Sequence, residues 1–364
     1  MAPGSKNFFN SALAKLGLRS SPRLYYIVPG VNWVLDWVGQ YVTSNVQRNH
    51  DLKAQVVRSV KNLHGQLVHY GSLWDLAANI DEPQHKRNWT VGTIFHGQKD
   101  QPGFTTAITK LLEKQSSFEK IHTASRIMEN RLMEWGIPAD KLVRIPLGVD
   151  LKRFRPATAD ERVKARYELG IGNDVICIGS FHKDGQGMQE GNEPKLIKGP
   201  DILLQVIEQL SKLYPIFVLL SAPARGYVKR GLEKIGARYA HIYKQDFHEI
   251  PQLYHALDLY LITSREEGGP EGVLESMASG IPLVTTKVGL APDVVEHGSN
   301  GMLVAVEDVD GLVAAVSQLI ESPSQRKQLV AQGQLRIPAY DWREIARQYY
   351  HQLYEPILVK LKAR

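Results

Sequence analysis

The chain has 364 residues, enough for two domains with separate hydrophobic cores. With 43% hydrophobic and 23% charged residues, it has the composition of a globular protein, which excludes a disordered or fibrous chain. A single cysteine, Cys177, excludes a disulfide framework and indicates a buried thiol in a reducing compartment. The formal net charge of +6 permits phosphate-bearing partners, but no basic run with interleaved aromatic residues points to nucleic acid.

The first thirty residues contain no signal-peptide core, and no apolar run reaches the roughly 18 residues that a membrane span needs. We therefore expect a cytoplasmic protein. The opening segment KNFFNSALAKLGLRS places apolar side chains at helical spacing among basic ones. It could lie on the inner face of the membrane as a peripheral amphipathic helix; the alternatives are a helix packed on its own domain or a frayed terminus.

The segment RLYYIVPG predicts a buried strand that ends in a Pro-Gly turn, and a helix or an irregular loop follows it. A strand, a glycine turn and a helix form the first unit of a doubly wound sheet, in which ligands meet the loops at the carboxyl ends of strands. Gly30, Asn32 and Asp36 are therefore candidates for one side of a binding cleft. The alternative is that these residues form only a tight turn.

Two more strands are predicted in QLVHYGSLWDL and NWTVGTIFHG, and the second runs into His96 at its carboxyl end. We interpret His69 and His122 as structural or surface histidines. A further strand ends at about Ser125, and a helix follows it. The short polar linker after RIPLGVD places a hinge between about Asp150 and Glu161, so we expect domains at 1–156 and 157–339.

The second domain opens with the strand VICIGSF, and a long polar insertion follows it. Glycines free the backbone of this insertion to wrap an anion, while Lys195 and Lys198 could place ammonium groups on a diphosphate, and Lys183 could add another. The alternative is that all these lysines are solvated. A helix is predicted from about Pro200. Arg225, at the carboxyl end of the next strand, is either a planar phosphate contact or a surface arginine.

The stretch SREEGGPEGVLESMASGIPLVTT predicts a loop, a helix and a strand, and the apolar run LDLYLIT predicts a strand before it. The helix is expected from about Pro270 to about Ser279, with Gly280 as its left-handed terminator. The amides of Gly268 and Gly269 would then lie at the positive end of the helix, where an anion can be held.

Two carboxylates accompany this glycine loop: Glu267 lies within it, and Glu275 lies further along the helix. An ionised carboxylate accepts hydrogen bonds in fixed directions, so this pair would suit a sugar with several hydroxyl groups. The alternative is that Glu271 and Glu275 are the solvated side of an ordinary helix.

The spacing of Glu267 and Glu275, set in S-x-x-E-G-x-P-x-x-x-L-E-x-M-A-x-G-x-P-L-V, resembles the E-x7-E signature of the retaining nucleotide-sugar glycosyltransferases of the GT-B fold, family 4. The segments P-L-G-V-D-L-K-R-F-R-P and 296–304 resemble two further parts of that family. The resemblance covers most of the chain, from about Gly30 to Trp342. One departure is clear, because Ser180, Phe181 and His182 stand where the family has an arginine.

This resemblance implies an α/β fold of two Rossmann-like domains that face each other across a cleft, with a last helix at 340–364 packing back on the first domain. It implies hexosyl transfer with retention from a UDP-, GDP- or ADP-sugar, without metal or cofactor, to a glycan, a lipid or a small molecule. Two alternatives stay open. The chain could be a sugar-nucleotide epimerase or phosphorylase of related fold, or it could bind sugar nucleotides without catalysis.

The resemblance also implies roles for single residues. Glu267 and His96 would face the transferred sugar, and Glu275 would hold the ribose. Lys198, which would stabilise the leaving diphosphate, is predicted to be catalytic together with Glu267 and His96. The residues that we predict to bind the donor, several of them from their places at strand ends and at the helix start, are Glu275, Gly30, Lys183, Lys198, Arg225, Gly268 and Gly269. The motif Asp308-Val309-Asp310 is interpreted as a helix cap, not as a metal holder. A dinucleotide-binding dehydrogenase is disfavoured, because the first strand lacks a following G-x-G-x-x-G.

Overall fold

The computed structural model describes residues 22–30 and 34–362 and contains two parallel six-stranded sheets with helices between the strands. The predicted α/β class is confirmed. The predicted amphipathic segment at the start of the chain and Asn32 lie outside the described residues. Within the described part, no helix is both long enough and apolar enough to cross a bilayer.

The first sheet has the strand order β2-β1-β3-β4-β5-β6. Its strands are β1 Leu24–Ile27, β2 Ala54–Val57, β3 Leu67–Tyr70, β4 Trp89–Thr93, β5 Lys120–Thr123 and β6 Leu142–Arg144. The helices in this part of the chain are α1 Val34–Asn49, α2 Leu73–Asn79, α3 Thr105–Glu113 and α4 Arg126–Glu134. The strand β1 pairs in parallel with β2 and β3, so the strand order reverses beside it. Gly30, shortly after β1, therefore lies at the switch point of this sheet.

The second sheet has the strand order β12-β11-β10-β7-β8-β9. Its strands are β7 Ile176–Ser180, β8 Ile216–Leu220, β9 Arg238–His241, β10 Leu259–Ile262, β11 Leu283–Thr286 and β12 Met302–Val304. Its helices are α5 Ala159–Glu168, α6 Pro200–Ser211, α7 Gly226–Ile235, α8 Pro251–Tyr254, α9 Glu271–Ala278, α10 Ala291–Val294, α11 Val309–Glu321 and α12 Pro323–Arg336. This is the doubly wound order, and it reverses between β7 and β10. The loops after these two strands therefore border the crevice where such sheets bind ligands.

The chain ends in α13 Trp342–Gln348, a π-helical turn at Tyr349–Tyr354 and α14 Glu355–Lys362. An apolar stripe at helical spacing along this segment is buried, with Ile345, Tyr349 and Leu353 each at 0% exposure and Ile357 at 2%. An amphipathic helix of this kind needs a surface to cover, so its burial agrees with the helical spacing of the stripe.

The chain divides into two compact units. The first holds the described residues of Met1–Thr93, Thr106–Ile121 and Ala346–Arg364, and the second holds Ile94–Thr105 and His122–Ile345. The boundaries expected from the sequence, 1–156 and 157–339 with the last helix packing back, remain predictions.

The core of the second sheet shows why its sequence folds this way. Helix α6 carries Leu203, Val206 and Leu210 at spacings of three and four residues, and all three are buried. They join a cluster that contains Ile178 of β7 and Val218 of β8. Side chains at this spacing share one helical face, so α6 covers the sheet with that face.

Several helix ends lie where proline, glycine and capping residues predict them. Helix α9 begins one residue after Pro270, which is its N-cap, and Gly280 adopts a left-handed φ of +69° just after its end. Asp308 caps α11 by accepting a hydrogen bond from the Gly311 amide, as predicted. Helix α6 begins at Pro200, and Gly199 before it is left-handed.

Gly199 and Gly170 both have a φ of +64°, but only Gly199 lies against other backbone. A Cβ on Gly199 would lie 1.9 Å from the carbonyl oxygen of Thr263, whereas a Cβ on Gly170 would meet nothing within 4 Å. We expect Gly170→Ala to lower the free energy of unfolding by about 1–2 kcal/mol, the cost of a left-handed alanine. Gly199→Ala should cost clearly more, because a strand end must shift. Urea denaturation of both variants measures the difference, and equal losses would contradict it.

Candidate active site

Lys198 is held beside the end of β10 by the backbone of its neighbour. Gly199 lies so close to Thr263 that only glycine fits, and the Thr263 hydroxyl donates a hydrogen bond of 2.9 Å to the Gly199 carbonyl oxygen. The Ser264 hydroxyl donates to the Lys198 carbonyl oxygen at 3.4 Å. The loop after β7 and the loop after β10 therefore meet at Lys198.

Lys198 and Glu267 form a close ion pair in which Nζ lies 2.5 Å from Oε2. The Ser264 hydroxyl donates to the other carboxylate oxygen at 2.9 Å, and the side chains of Lys198 and Glu267 are only 16% and 9% exposed. Burial works to raise the pKa of Glu267, but the charge and hydrogen bond of Lys198 outweigh burial and leave this pKa below its ordinary value. Glu267 is therefore an ionised, oriented carboxylate at neutral pH.

His96 joins this cluster as a neutral imidazole. It is half-buried; burial first, and then the charge of Lys198, lower its pKa to about 4, although Glu267 and Glu266 oppose the shift. A neutral imidazole has one nitrogen that donates and one that accepts. The structure therefore brings together the three residues predicted as catalytic from the sequence.

The backbone next to His96 is clamped by a second ion pair. Arg131 donates through Nη1 to Glu266 Oε1 at 2.6 Å and to the Gly97 carbonyl oxygen at 2.8 Å. The Gly97 amide donates to the same Glu266 oxygen at 3.3 Å. Both polar groups of Gly97 are thus engaged, which fixes the peptide that follows His96. No local pattern predicts this clamp, because Arg131 and Glu266 are 135 residues apart in the chain.

The glycine loop before α9 is packed too tightly for side chains. A Cβ on Gly268 would lie 2.5 Å from the Phe95 Cβ, and a Cβ on Gly269 would lie 2.7 Å from Leu147 Cδ1. Among residues 22–30 and 34–362, no acceptor for the amides of Gly268 and Gly269 is found. Two unsatisfied donors just before a helix start are suited to an anion.

Glu275 lies within α9 and is 6% exposed, so the alternative of a solvated helix face is wrong for this residue. The Tyr254 hydroxyl donates to its Oε2 at 2.7 Å. Burial raises the pKa of Glu275 to about 7, although the hydrogen bond from Tyr254 opposes the shift. Burial, and then the charge of Glu275, raise the pKa of Glu271, one turn earlier on the same helix. Glu275 is therefore only partly ionised near neutrality, in contrast to Glu267.

Three lysines of the loop after β7 form an electropositive cluster. Burial lowers the pKa of Lys195, and the charges of Lys198 and Lys183 lower it further, while Glu267 opposes them. Burial also lowers the pKa of Lys183. The predicted diphosphate residues Lys183 and Lys198 thus lie within electrostatic range of one further lysine, and Glu267 partly balances their charge.

Arg225 is 1% exposed, so the alternative of a surface arginine is wrong. Its guanidinium faces Asp184 and the backbone carbonyl groups of Ser180 and His182, all within its own compact unit. Gly30 belongs to the first compact unit, where it has a φ of +70° and its amide donates to Asp36 Oδ1 at 2.9 Å. This bond joins the chain after β1 to the first turn of α1.

Sequence reasoning missed one histidine beside the site. Burial, and then the charge of Arg225, lower the pKa of His182 to about 3, and Glu267 opposes this shift. Among the residues that the structure describes, Nε2 of His182 has no hydrogen-bond partner. In the sequence, His182 stands where the resembling family has an arginine. That departure is the feature that points to His182.

Most of these site residues lie in a part of the chain that matches a known protein family. Residues 194–336 match the family model of the glycosyl transferases group 1. The matched segment contains Lys198, Glu267 and Glu275.

Curated relatives with known names are similar over part of the chain. A D-inositol 3-phosphate glycosyltransferase of Corynebacterium urealyticum is 26% identical over 213 residues, which are 55% of this chain and 48% of that protein. A GDP-mannose-dependent alpha-(1-6)-phosphatidylinositol monomannoside mannosyltransferase of Mycolicibacterium smegmatis is 26% identical over 60% of this chain and 58% of its own length. The chain thus spans about half the length of the curated relatives it matches.

The architecture is also found among solved structures. Alr3699/HepE of Anabaena, crystallised with UDP and glucose, superposes with a TM-score of 0.75 over 92% of this chain and 100% of its own, at 18% identity. Identity at this level shows a shared fold. Together with the two parallel six-stranded sheets, it confirms the predicted GT-B fold.

The raised pKa of Glu275 makes stability depend on pH. Because its folded pKa of about 7 exceeds its ordinary value of 4.5, the protonated form is favoured in the folded state. The protonated Glu275 therefore contributes its full stabilisation at pH values below the pKa of this group in the unfolded chain. The contribution is lost as the pH rises through about 7, the pKa in the folded state. Glu275→Gln keeps an acceptor for Tyr254 without the charge. We expect its stability relative to wild type to rise between about pH 5 and pH 8, by on the order of 1–3 kcal/mol.

Thermal unfolding of both proteins across this pH range measures the effect. Glu113→Gln is the control, because Glu113 is exposed at the end of α3. A difference between wild type and Glu275→Gln that stays constant with pH would contradict the burial argument.

Proposed function

We propose that the chain is a glycosyltransferase that moves a hexosyl group from a UDP-, GDP- or ADP-sugar to a glycan, lipid or small-molecule acceptor, with retention at the anomeric carbon. One observation carries the proposal: the half-buried Lys198–Glu267 ion pair lies in the loops that border the switch point of the second sheet, within the segment that matches the group 1 family model. An ammonium beside a carboxylate can hold the two chemically distinct parts of such a donor, its diphosphate and its sugar.

The donor would lie with its diphosphate on the amides of Gly268 and Gly269 and on Lys198. An ammonium has three donors, so Lys198 can keep its bond to Glu267 and still donate to a phosphate oxygen. Glu275 would accept from the ribose, because Tyr254 occupies only its Oε2. The bound UDP and glucose of HepE, and the GDP-mannose in the name of the mycobacterial relative, support a donor of this class.

The chemistry separates a sugar cation from a diphosphate, so negative charge builds on the leaving phosphate oxygens. Preorganised donors at that position lower the barrier, and one such donor typically contributes about 3–4 kcal/mol. Lys198, the two glycine amides and the dipole of α9 are such donors. Glu267, oriented by Ser264, would hold a hydroxyl of the transferred sugar, and neutral His96 would contact the same sugar.

We propose that this reaction needs neither a divalent metal nor a strongly basic residue. Lys198 and the amides supply the positive charge that a metal would otherwise bring to the diphosphate. The departing diphosphate would take the proton of the acceptor hydroxyl, so no carboxylate has to act as a dedicated base. The cytoplasmic location and the membrane contact of the opening segment stay predictions from the sequence.

Lys198→Met tests the assignment most simply. We expect kcat to fall about 10²–10³-fold, the usual cost of removing one preorganised donor at a developing charge. The assay measures release of nucleoside diphosphate from UDP-glucose, GDP-mannose and ADP-glucose with sugar and lipid acceptors, in excess chelator. Lys212→Met is the matched control, because Lys212 follows the end of α6 and its ammonium is solvent-exposed.

Each other outcome has a defined meaning. Donor turnover that needs phosphate, or that proceeds without any acceptor, would favour a phosphorylase or an epimerase. Nucleotide binding without turnover would favour the non-catalytic alternative. Loss of activity in chelator that metal restores would refute the metal-free mechanism, and an inverted anomeric configuration of the product by NMR would refute retention.

A further inference from the structure

A fully buried ion pair lies beneath the loop that carries the three lysines, residues 181–199, which we call the lysine loop. Arg225 follows β8, Asp184 belongs to the lysine loop, and both side chains are 0% exposed. Arg225 Nε lies 3.1 Å from Asp184 Oδ1. Within the described residues, neither carboxylate oxygen of Asp184 accepts a hydrogen bond, so the guanidinium is its charge partner.

The other donors of Arg225 bind the ends of two strands. Nη1 donates to the carbonyl oxygens of Ser180 and His182, each at 2.7 Å, and to that of Ser221 at 3.2 Å. Nη2 donates to the Ser180 hydroxyl at 3.3 Å. One guanidinium therefore joins the end of β7, the end of β8 and the first residues of the lysine loop. At 1% exposure, it presents no free edge to a ligand.

The backbone around Arg225 also contacts the lysine loop directly. The Gly226 amide donates to the Glu190 carbonyl oxygen at 2.6 Å. Gly185 and Gly191 lie so close that a Cβ on either would come within 2.2 or 2.3 Å of the Ala224 carbonyl oxygen. The lysine loop is thus packed on the turn that holds Arg225, with glycines at the points of closest approach.

That turn has an unusual backbone. Ala222 and Ala224, on either side of Pro223, have φ angles of +70° and +59°. Left-handed conformations are unfavourable for alanine and persist only where the surroundings impose them, often near functional sites. Here the strained turn places Arg225 directly under the lysine loop.

Asp184 connects the buried ion pair to two of the lysines. Its carbonyl oxygen accepts a hydrogen bond of 2.7 Å from the Lys195 amide, and Lys183 precedes it in the chain. A change in the position of Asp184 would therefore move both Lys183 and Lys195.

We propose that Arg225 is a positioning residue: through Asp184 and the carbonyl groups of Ser180 and His182, it sets the lysine loop so that Lys183 and Lys195 reach the diphosphate, which Arg225 itself does not touch. This replaces the direct phosphate contact predicted from the sequence. The identity of the ligand rests on the proposed function, whereas the contacts by which Arg225 holds the lysine loop do not.

Arg225→Gln, Asp184→Asn and the double variant test this role with two readouts. Hydrogen exchange of residues 182–196 reports the order of the lysine loop, and calorimetric titration with UDP and GDP reports binding. We expect faster exchange and at least about tenfold weaker binding in each single variant, with the double variant close to the weaker single one, because the residues act as a unit. Lys229→Gln is the control. Its ion pair with Glu190, at 3.7 Å, joins the same loop and helix at the surface, so binding should stay within about twofold.

The two roles of Arg225 give opposite results for Asp184→Asn. If Asp184→Asn bound UDP or GDP as wild type does while Arg225→Gln lost binding, a direct phosphate contact would be shown and the proposal overturned. Unchanged exchange in both variants would overturn it as well. If wild type bound neither nucleotide, a UDP- or GDP-sugar donor would be ruled out, while hydrogen exchange would still show whether Arg225 orders the lysine loop. Should Arg225→Gln not fold, Arg225→Lys keeps the charge but loses the donors to the carbonyl groups, and faster exchange is expected.

Discussion

The close approach of Gly199 to the end of β10 is the constraint on which the site depends. It lets the loop after β7 touch the loop after β10, and it brings Lys198 to Glu267 at 2.5 Å. A pair as buried as this one gives up much of its hydration, and the Coulombic gain of such pairs often fails to exceed that cost. Its value therefore lies in geometry, because it fixes an ammonium and a carboxylate at the crevice of a doubly wound sheet.

The carboxyl groups of the site differ in charge because their surroundings differ. Glu267 is kept ionised by Lys198 despite its burial, whereas Glu275, which accepts a hydrogen bond from the hydroxyl of Tyr254, has a pKa raised by burial to about 7. The pKa values of His96 and Lys195 are shifted in the other direction, because burial and neighbouring positive charges lower them. Titratable groups whose surroundings push their pKa values apart are typical of catalytic sites, where each can then take a different role.

The sequence predicted the parts of this arrangement that have local causes. Helix α9, the cap at Asp308 and the Lys198-Gly199 step before α6 follow from glycine, proline and capping residues within a few positions of each helix end. The burial of Arg225 could not be predicted, because it depends on Asp184, whose position is set by tertiary packing. The Arg131–Glu266 clamp was missed for the same reason, since charges so far apart in sequence leave no periodic signal. Donor identity and acceptor identity depend on loop side chains, which pattern alone does not order.

A crystal structure of the chain with UDP or GDP bound would locate the diphosphate relative to the start of α9. We expect diphosphate oxygens within about 2.7–3.2 Å of Lys198 Nζ and of the amides of Gly268 or Gly269. We also expect a ribose hydroxyl on Glu275. A nucleotide bound with its diphosphate away from the start of α9, or with Lys198 turned from it, would contradict the account.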